Sequence, residues 1–154
     1  TIHHFTKENS PLPSNNINDI SINYSNGKVY FGTDQGLVSY NTGSISSSEN
    51  FSNTYVYPNP VRPEFNTESE RVKITGLTQN VNIKITDIEG NLVAEAQSKI
   101  NSRYRNFNLE IDGGTAFWNG KNLRNRLVAS GVYIIMLSDL DSYETKVLKL
   151  MIIR

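Results

Sequence analysis

The sequence predicts an all-β protein in two parts, on three observations. Apolar residues alternate with polar ones at period two along most of the chain, glycine-containing turns separate these runs, and no segment carries helical periodicity. Alternation at that period buries one face of each strand and leaves the other wet.

The first fifty residues read as short strands joined by strong turns. In "INDISINYSNGKVYFGT" Ile20, Ile22 and Tyr24 alternate, Ser25-Asn26-Gly27 turns the chain, and Val29 and Phe31 resume the pattern. Asn-Gly between such runs predicts a hairpin with a type I′ turn, since both residues tolerate positive φ. Asp34-Gln35-Gly36 then leads into Leu37-Val38-Ser39-Tyr40. From Thr42 to Asn53 the chain is rich in Ser, Thr and Asn, which predicts a linker or weak edge strand. The boundary is expected near residue 52, dividing the chain into domains 1–52 and 53–154.

The second part is a run of strands. Val72 and Ile74, then Val81, Ile83 and Ile85, then Phe107, Leu109 and Ile111 alternate with polar neighbours. Glu89-Gly90-Asn91 and Asp112-Gly113-Gly114 supply turns. "GVYIIMLSDL" and "TKVLKLMIIR" are apolar on both faces, as central strands are. About seven strands in about 100 residues is the count of an immunoglobulin-like sandwich.

Composition narrows the function. The 154 residues suffice for one ordinary domain, or a small domain with a fragment. Fifteen basic side chains balance fifteen acidic ones, which argues against a nucleic-acid partner, whose binding needs a basic excess. With no cysteine, disulfides and thiolate metal sites cannot form. No apolar run approaches the roughly 18 residues of a membrane-spanning helix. Thr1 opens no signal peptide, so any export signal is expected upstream of this chain.

Reactive constellations are weak throughout. His3 and His4 are neighbours without a third ligand nearby, and they read as surface or packing residues. Asp87 to Asn91 lacks the spacing of a calcium loop and reads as a hairpin turn. Asp139, Asp141 and Glu144 cluster between the last two strands and read as a solvated turn, with a cation site as the lesser alternative. Trp118 is expected in the core rather than as a sugar-stacking platform. No nucleophile stands with a base, so no enzyme, cofactor or metal centre is expected.

Charge is distributed unevenly. Residues 1–50 hold Lys7 and Lys28 against Glu8, Asp19, Asp34 and Glu49. Arg103, Arg105, Lys121, Arg124 and Arg126 fall in a span whose acids are Glu110 and Asp112. Lys121, Arg124 and Arg126 are therefore candidates for binding an anionic group, against the plainer reading of solvated surface charge.

Two stretches carry family resemblances. "NSPLPSNNI" (Asn9 to Ile17) and "GKVYFGTDQGLVSYN" (Gly27 to Asn41) resemble one blade of a two-component-regulator type β-propeller, with "IHHF" as the outer strand of a preceding blade. A lone blade cannot bury both its faces, so this part is expected to be the tail of a propeller. "VYPNPVRPEF", "NIKITDIEGNLV", "FWNGKNLRNRLVASGVY" and the closing "KVLKLMIIR" resemble a type A C-terminal sorting domain of the type IX secretion system, from Bacteroidetes. The motif positions are Tyr57, Pro58, Asn59 and Pro60; Asp87 and Gly90; Trp118, Asn119 and Gly120; and Ser130, Gly131, Val132 and Tyr133.

The resemblance implies export to the cell surface or outer membrane and a role in type IX secretion or attachment. It also implies association with secretion-complex proteins and with anionic lipopolysaccharide, and retention of the terminal domain. On physical grounds, Pro58 and Pro60 stiffen the entry to the sandwich, Trp118 caps its core at the Asn119-Gly120 turn, and Gly131 opens the long strand. Two other readings stay open: an extracellular sensory or carbohydrate-binding module of a two-component-type regulator, and the sorting domain of a secreted glycan-processing cargo.

Overall fold

The computed structural model describes residues 3–98 and 108–154. Ile2, Phe107, Arg103 and Arg105 lie outside the described residues. The chain forms two compact units, Thr1–Ile45 and Ser46–Arg154.

The first unit is an antiparallel meander of β1 (Ile17–Asn23), β2 (Lys28–Thr33) and β3 (Gly36–Asn41). Ile20, Phe31 and Val38 share one row, and Ile22, Val29 and Tyr40 the next, so the alternation converges on one face. The Phe5 ring packs on Tyr40 at 4.8 Å and on Phe31 at 6.5 Å, beside a shallow apolar cleft. Leu12 is this unit's buried hydrophobic among the described residues, while Ile20, Ile22 and Leu37 stay exposed. His3 and His4 lie outside any strand, and the His3 ring stacks on Phe5.

The first hairpin forms where Asn26-Gly27 predicts it, with a different turn. Gly27 has φ +68°, whereas Asn26 has no positive φ, so the turn is not type I′. Instead the Gly27 N–H donates to the Asn23 carbonyl at 2.9 Å, closing a longer loop, and the Asn26 carboxamide accepts from Lys28 N–H. A Cβ on Gly27 would lie 1.9 Å from the Ser44 carbonyl oxygen, so only glycine fits.

The second unit is a sandwich of two four-stranded sheets. Its strands are β4 (Tyr55–Tyr57), β5 (Val72–Thr75), β6 (Val81–Asp87), β7 (Leu92–Gln97), β8 (Leu109–Asp112), β9 (Thr115–Trp118), β10 (Gly131–Asp139) and β11 (Thr145–Ile152). One sheet runs β4-β5-β9-β8 and the other β11-β10-β6-β7. In the lettering of immunoglobulin folds these are the A-B-E-D and G-F-C sheets, the second extended by one strand. That extra strand is β7, so the count is eight where the sequence predicts seven. Inward residues of both sheets, including Val72, Ile74, Ile83, Ile85, Ile135, Leu137 and Leu150, close a single core.

Two further expectations change. β11 is an edge strand rather than a central one: Thr145, Val147, Lys149 and Met151 on its outer side are exposed. The Ser/Asn-rich stretch is not a free linker, because Phe51 is 0% exposed in the core. The Phe51 N–H donates to the Glu144 carboxylate, and Lys146 Nζ donates to the Phe51 and Ser52 carbonyls at 2.5 and 3.1 Å. A fully buried side chain with three backbone anchors draws the division to residues 45 and 46.

Candidate functional site

The sorting-type motif positions are scattered over 77 residues of sequence, yet register brings most of them to one end of the sandwich. Tyr133 pairs with Asp87 across β10 and β6, Gly131 pairs with Ile152 across β10 and β11, and Val61 bridges Ile152 in parallel.

The first motif is a crossing point between sheets. Tyr55–Tyr57 pairs with β5, and the chain then passes through Pro58 and Pro60, both preceded by cis peptide bonds. Val61 emerges beside β11 in the opposite sheet, with Val61 N–H donating to the Met151 carbonyl at 2.8 Å and Ile153 N–H to the Val61 carbonyl at 2.9 Å. Between the prolines, Asn59 Nδ2 donates to the Lys149 carbonyl at 2.8 Å and its Oδ1 accepts from Met151 N–H at 3.1 Å. Proline has no N–H to offer this edge, and the Asn59 carboxamide presents a donor and an acceptor in its place. Edge strands left open invite pairing with other chains, so this motif closes an edge. Tyr55 and Tyr57 remain exposed on the far face.

The second motif is the turn joining β6 to β7. Asp87 Oδ1 accepts from the Glu89 and Asn91 N–H groups, and Oδ2 from Asn91 Nδ2. The Asn91 side chain and the turn's backbone N–H groups hold the Asp87 carboxyl below its ordinary pKa. Its acceptor sites are thus spent on the turn. Among the described residues no group of three or more His, Cys, Asp or Glu side chains is arranged to hold a metal.

The third motif builds the corner. Trp118, the last residue of β9, is 0% exposed, its ring 5.9 Å from that of Tyr133. Its indole N–H donates to the Lys121 carbonyl at 3.0 Å across the Asn119-Gly120 turn. Gly120 has φ +72°, and a Cβ there would meet Thr67 Oγ1 at 3.0 Å and Arg154 Nη2 at 3.2 Å. Tyr133 Oη donates to the Ala129 carbonyl at 2.9 Å, and its pKa is raised, first by burial and then by Asp87, with Arg154 opposing. Ser130 Oγ accepts from Arg154 N–H at 2.9 Å, and Arg154 Nε donates to the Val128 carbonyl at 2.8 Å. Val132 points to the outer face beside Met151.

The candidate anion-binding residues separate. Lys121 Nζ contacts the Glu68 carboxylate, which lowers the Glu68 pKa. Arg124 and Arg126 are exposed in the following loop, their backbone N–H groups both donating to Asn122 Oδ1. Two cations therefore face solvent where three are expected. Chemically the end of the sandwich is a hydrogen-bonded surface whose polar groups are committed to holding shape. Asn59 as an edge-closing carboxamide and Phe51 as an anchor are not readable from motif spacing. The one signal for Phe51 is an aromatic residue inside an otherwise polar stretch.

Residues 55–114 match the family model of the secretion system C-terminal sorting domain. Among solved structures, the chain is similar to PorZ of Porphyromonas gingivalis, described as an essential bacterial surface component of the type IX secretion system. Identity is 36% with a TM-score of 0.58, covering 99% of this chain and 18% of PorZ. A second similarity, to dimeric latent PorU of the same organism, has 15% identity and a TM-score of 0.42, covering 82% of this chain and 12% of PorU. No curated protein matches. Residues 55–114 are thus similar to the secretion system C-terminal sorting domain, within a 154-residue chain that spans 18% of the length of PorZ.

Proposed function

We propose that this chain is the C-terminal region of an exported β-propeller protein that acts, without catalysis, in type IX secretion or cell-surface attachment. The observation that carries this is the family match at residues 55–114 within a chain 36% identical to PorZ over 99% of its length. The first unit, with one three-stranded sheet and an apolar face half exposed, fits the end of a propeller. The sandwich then serves as a folded address, read by secretion or attachment proteins at the outer membrane. No helix among the described residues is long and apolar enough to span a membrane.

An association with anionic lipopolysaccharide belongs to the same proposal, with Arg124 and Arg126 as the cations free to meet a phosphate. The planar guanidinium of each suits forked hydrogen bonds to phosphate oxygens.

The test is removal of residues 46–154 from the protein in its source bacterium, followed by fractionation of periplasm, cell surface and medium. The expected outcome is loss of the protein from the surface and retention of secreted cargo inside the cell. Unchanged surface display together with normal cargo release sinks the proposal.

A further inference from the structure

The sheet of the first unit has two outer edges, and they are not alike. Thr42 N–H donates to the Gly27 carbonyl at 3.0 Å, which sets the even-numbered residues of β3 with their backbone groups toward β2. Alternation then turns those of Leu37, Ser39 and Asn41 outward. Among the described residues no strand pairs with this edge, and all three residues are exposed, Leu37 at 71%. A regular, unguarded edge is a template for another strand. β1 at the opposite edge is guarded. Its register slips between Ile17 and Asp19, and the Asp19 carboxylate accepts the Ile20 N–H at 2.9 Å.

The surroundings of β3 fit the side chains of an added strand. The apolar cleft is lined by Phe5, Pro11, Leu12, Phe31, Val38 and Tyr40 and by no residue of β1, so it lies on the β3 side of the sheet. The opposite face is polar in register, with Ser21, Tyr30 and Ser39 in one row and Asn23, Lys28 and Asn41 in the next. A strand laid along β3 therefore alternates, apolar toward the cleft and polar away from it. The chain that follows β3 cannot supply it. Thr42 Oγ1 donates to the Gly27 carbonyl at 2.8 Å, and the Ser44 carbonyl lies against Gly27, so the chain leaves β3 over the first hairpin turn. From Ser48 onward it belongs to the sandwich, with Ser48 N–H donating to the Leu77 carbonyl at 2.8 Å and Phe51 filling the core. The residues between are too few to turn and run back along the six-residue β3.

We infer that β3 is paired by an added strand from the same polypeptide, an extended segment preceding this chain, whose apolar side chains enter the cleft. The inference rests on the reading proposed above, in which the first unit ends a β-propeller. Propeller blades are built of four-stranded sheets, and this sheet has three strands. The size of the edge selects the occupant. Three outward residues offer few backbone hydrogen bonds, each worth little net of water, so a separate chain gains little by binding there. A segment of the same polypeptide meets the edge at a high effective concentration, and those few bonds suffice to hold it.

Amide exchange at residue resolution and photo-crosslinking, both on the purified full-length protein, test the inference. The Ser39 and Asn41 amides are expected to exchange at least about 100-fold more slowly than unpaired amides. The Leu37→p-benzoylphenylalanine and Ser39→p-benzoylphenylalanine variants are expected to link, on irradiation, to an earlier segment of the same chain that alternates apolar and polar residues. Protected Val38 and Tyr40 amides, which face β2, report that the sheet of each variant is folded. Unprotected Ser39 and Asn41 amides overturn the inference. A link to a second copy, to another protein or to Ser46–Arg154 overturns it as well, and so does the absence of any link from both positions. The readout is local to β3 and separates from the secretion reading. An open edge in a protein that loses surface display without Ser46–Arg154 overturns the inference alone, and a closed edge in a protein displayed normally without them overturns that reading alone.

Discussion

Asn59 faces Met151 as a neighbouring strand would: the Met151 N–H donates to Asn59 Oδ1 at 3.1 Å, and Asn59 Nδ2 reaches the Lys149 carbonyl at 2.8 Å. One side chain thus satisfies two backbone groups of an edge strand. Asn59→Asp keeps the acceptor but replaces the donor with a charged oxygen facing a carbonyl. It is expected to destabilise the second unit by about 1 kcal/mol. Urea unfolding with an unchanged m-value checks this, and a midpoint equal to that of the parent protein refutes it.

Trp118 carries the corner. Trp118→Ala is expected to cost about 3–5 kcal/mol, the range for a large aromatic lost from a core. The parent protein's emission is expected to be blue-shifted and resistant to iodide. Easy quenching, or a loss below about 1 kcal/mol, contradicts burial of the indole.

Phe51 sets where an autonomous sandwich begins. A fragment of residues 46–154 is expected to melt cooperatively, and one of residues 55–154 to be less stable by about 3–5 kcal/mol, having lost the Phe51 side chain. Equal melting temperatures for the two fragments count against the anchor.

Asp139 gives the sandwich an acid limb. Its carboxylate, on the last residue of β10, accepts from the Asp141 and Ser142 N–H groups of the following turn. With the nearby Thr78 hydroxyl as the leading influence, its pKa falls to about 2 from an ordinary 3.8. A depressed folded-state pKa adds stability that is present above about pH 4 and is lost as pH falls through about 2. Discounted for solvent, that share is on the order of 1–2 kcal/mol. Asp87, Glu68 and Glu8 shift in the same direction, so the share is read as a difference. Denaturation curves of the parent protein and Asp139→Asn are expected to converge between pH 4 and 2. Parallel curves across that window exclude the assignment.

The exposed arginines are tested through salt. Binding of the chain to anionic lipopolysaccharide is expected to weaken between about 0.05 and 0.3 M salt, as screening shortens the reach of each charge. The Arg124→Glu/Arg126→Glu variant is expected to bind less at the lower salt. Lys121→Gln, which removes a cation already engaged by Glu68, is expected to change little. Equal binding by the parent protein and the double arginine variant leaves these residues as ordinary surface charge.

How far the fold was legible varied from strand to strand. β6 and β10 carry clean alternation or long apolar runs, and they lie in the middle of their sheet. Leu92–Gln97 reads "LVAEAQ", whose paired apolar residues and low β propensity hide an added edge strand. β11 looked central because both its faces are apolar, yet local pattern does not reveal whether a neighbour covers a strand. At the site, the glycine turn and the buried tryptophan were readable from residue type. Asn59 was visible as a motif letter only, because its partners at Lys149 and Met151 stand 90 and 92 residues away.

The parallel pairing of Val61 with β11 has a mechanical consequence. Hydrogen bonds between strands lie across the strand direction, so tension drawing Arg154 away from the start of the sandwich loads the Val61–Met151 and Val61–Ile153 bonds together, in shear. Bonds loaded side by side fail together, whereas bonds at a peeling end fail singly. Tension arriving from residue 46 meets Phe51 first, held in the core and tied to Glu144 and Lys146. A domain gripped at both ends in this way transmits pulling force before it yields.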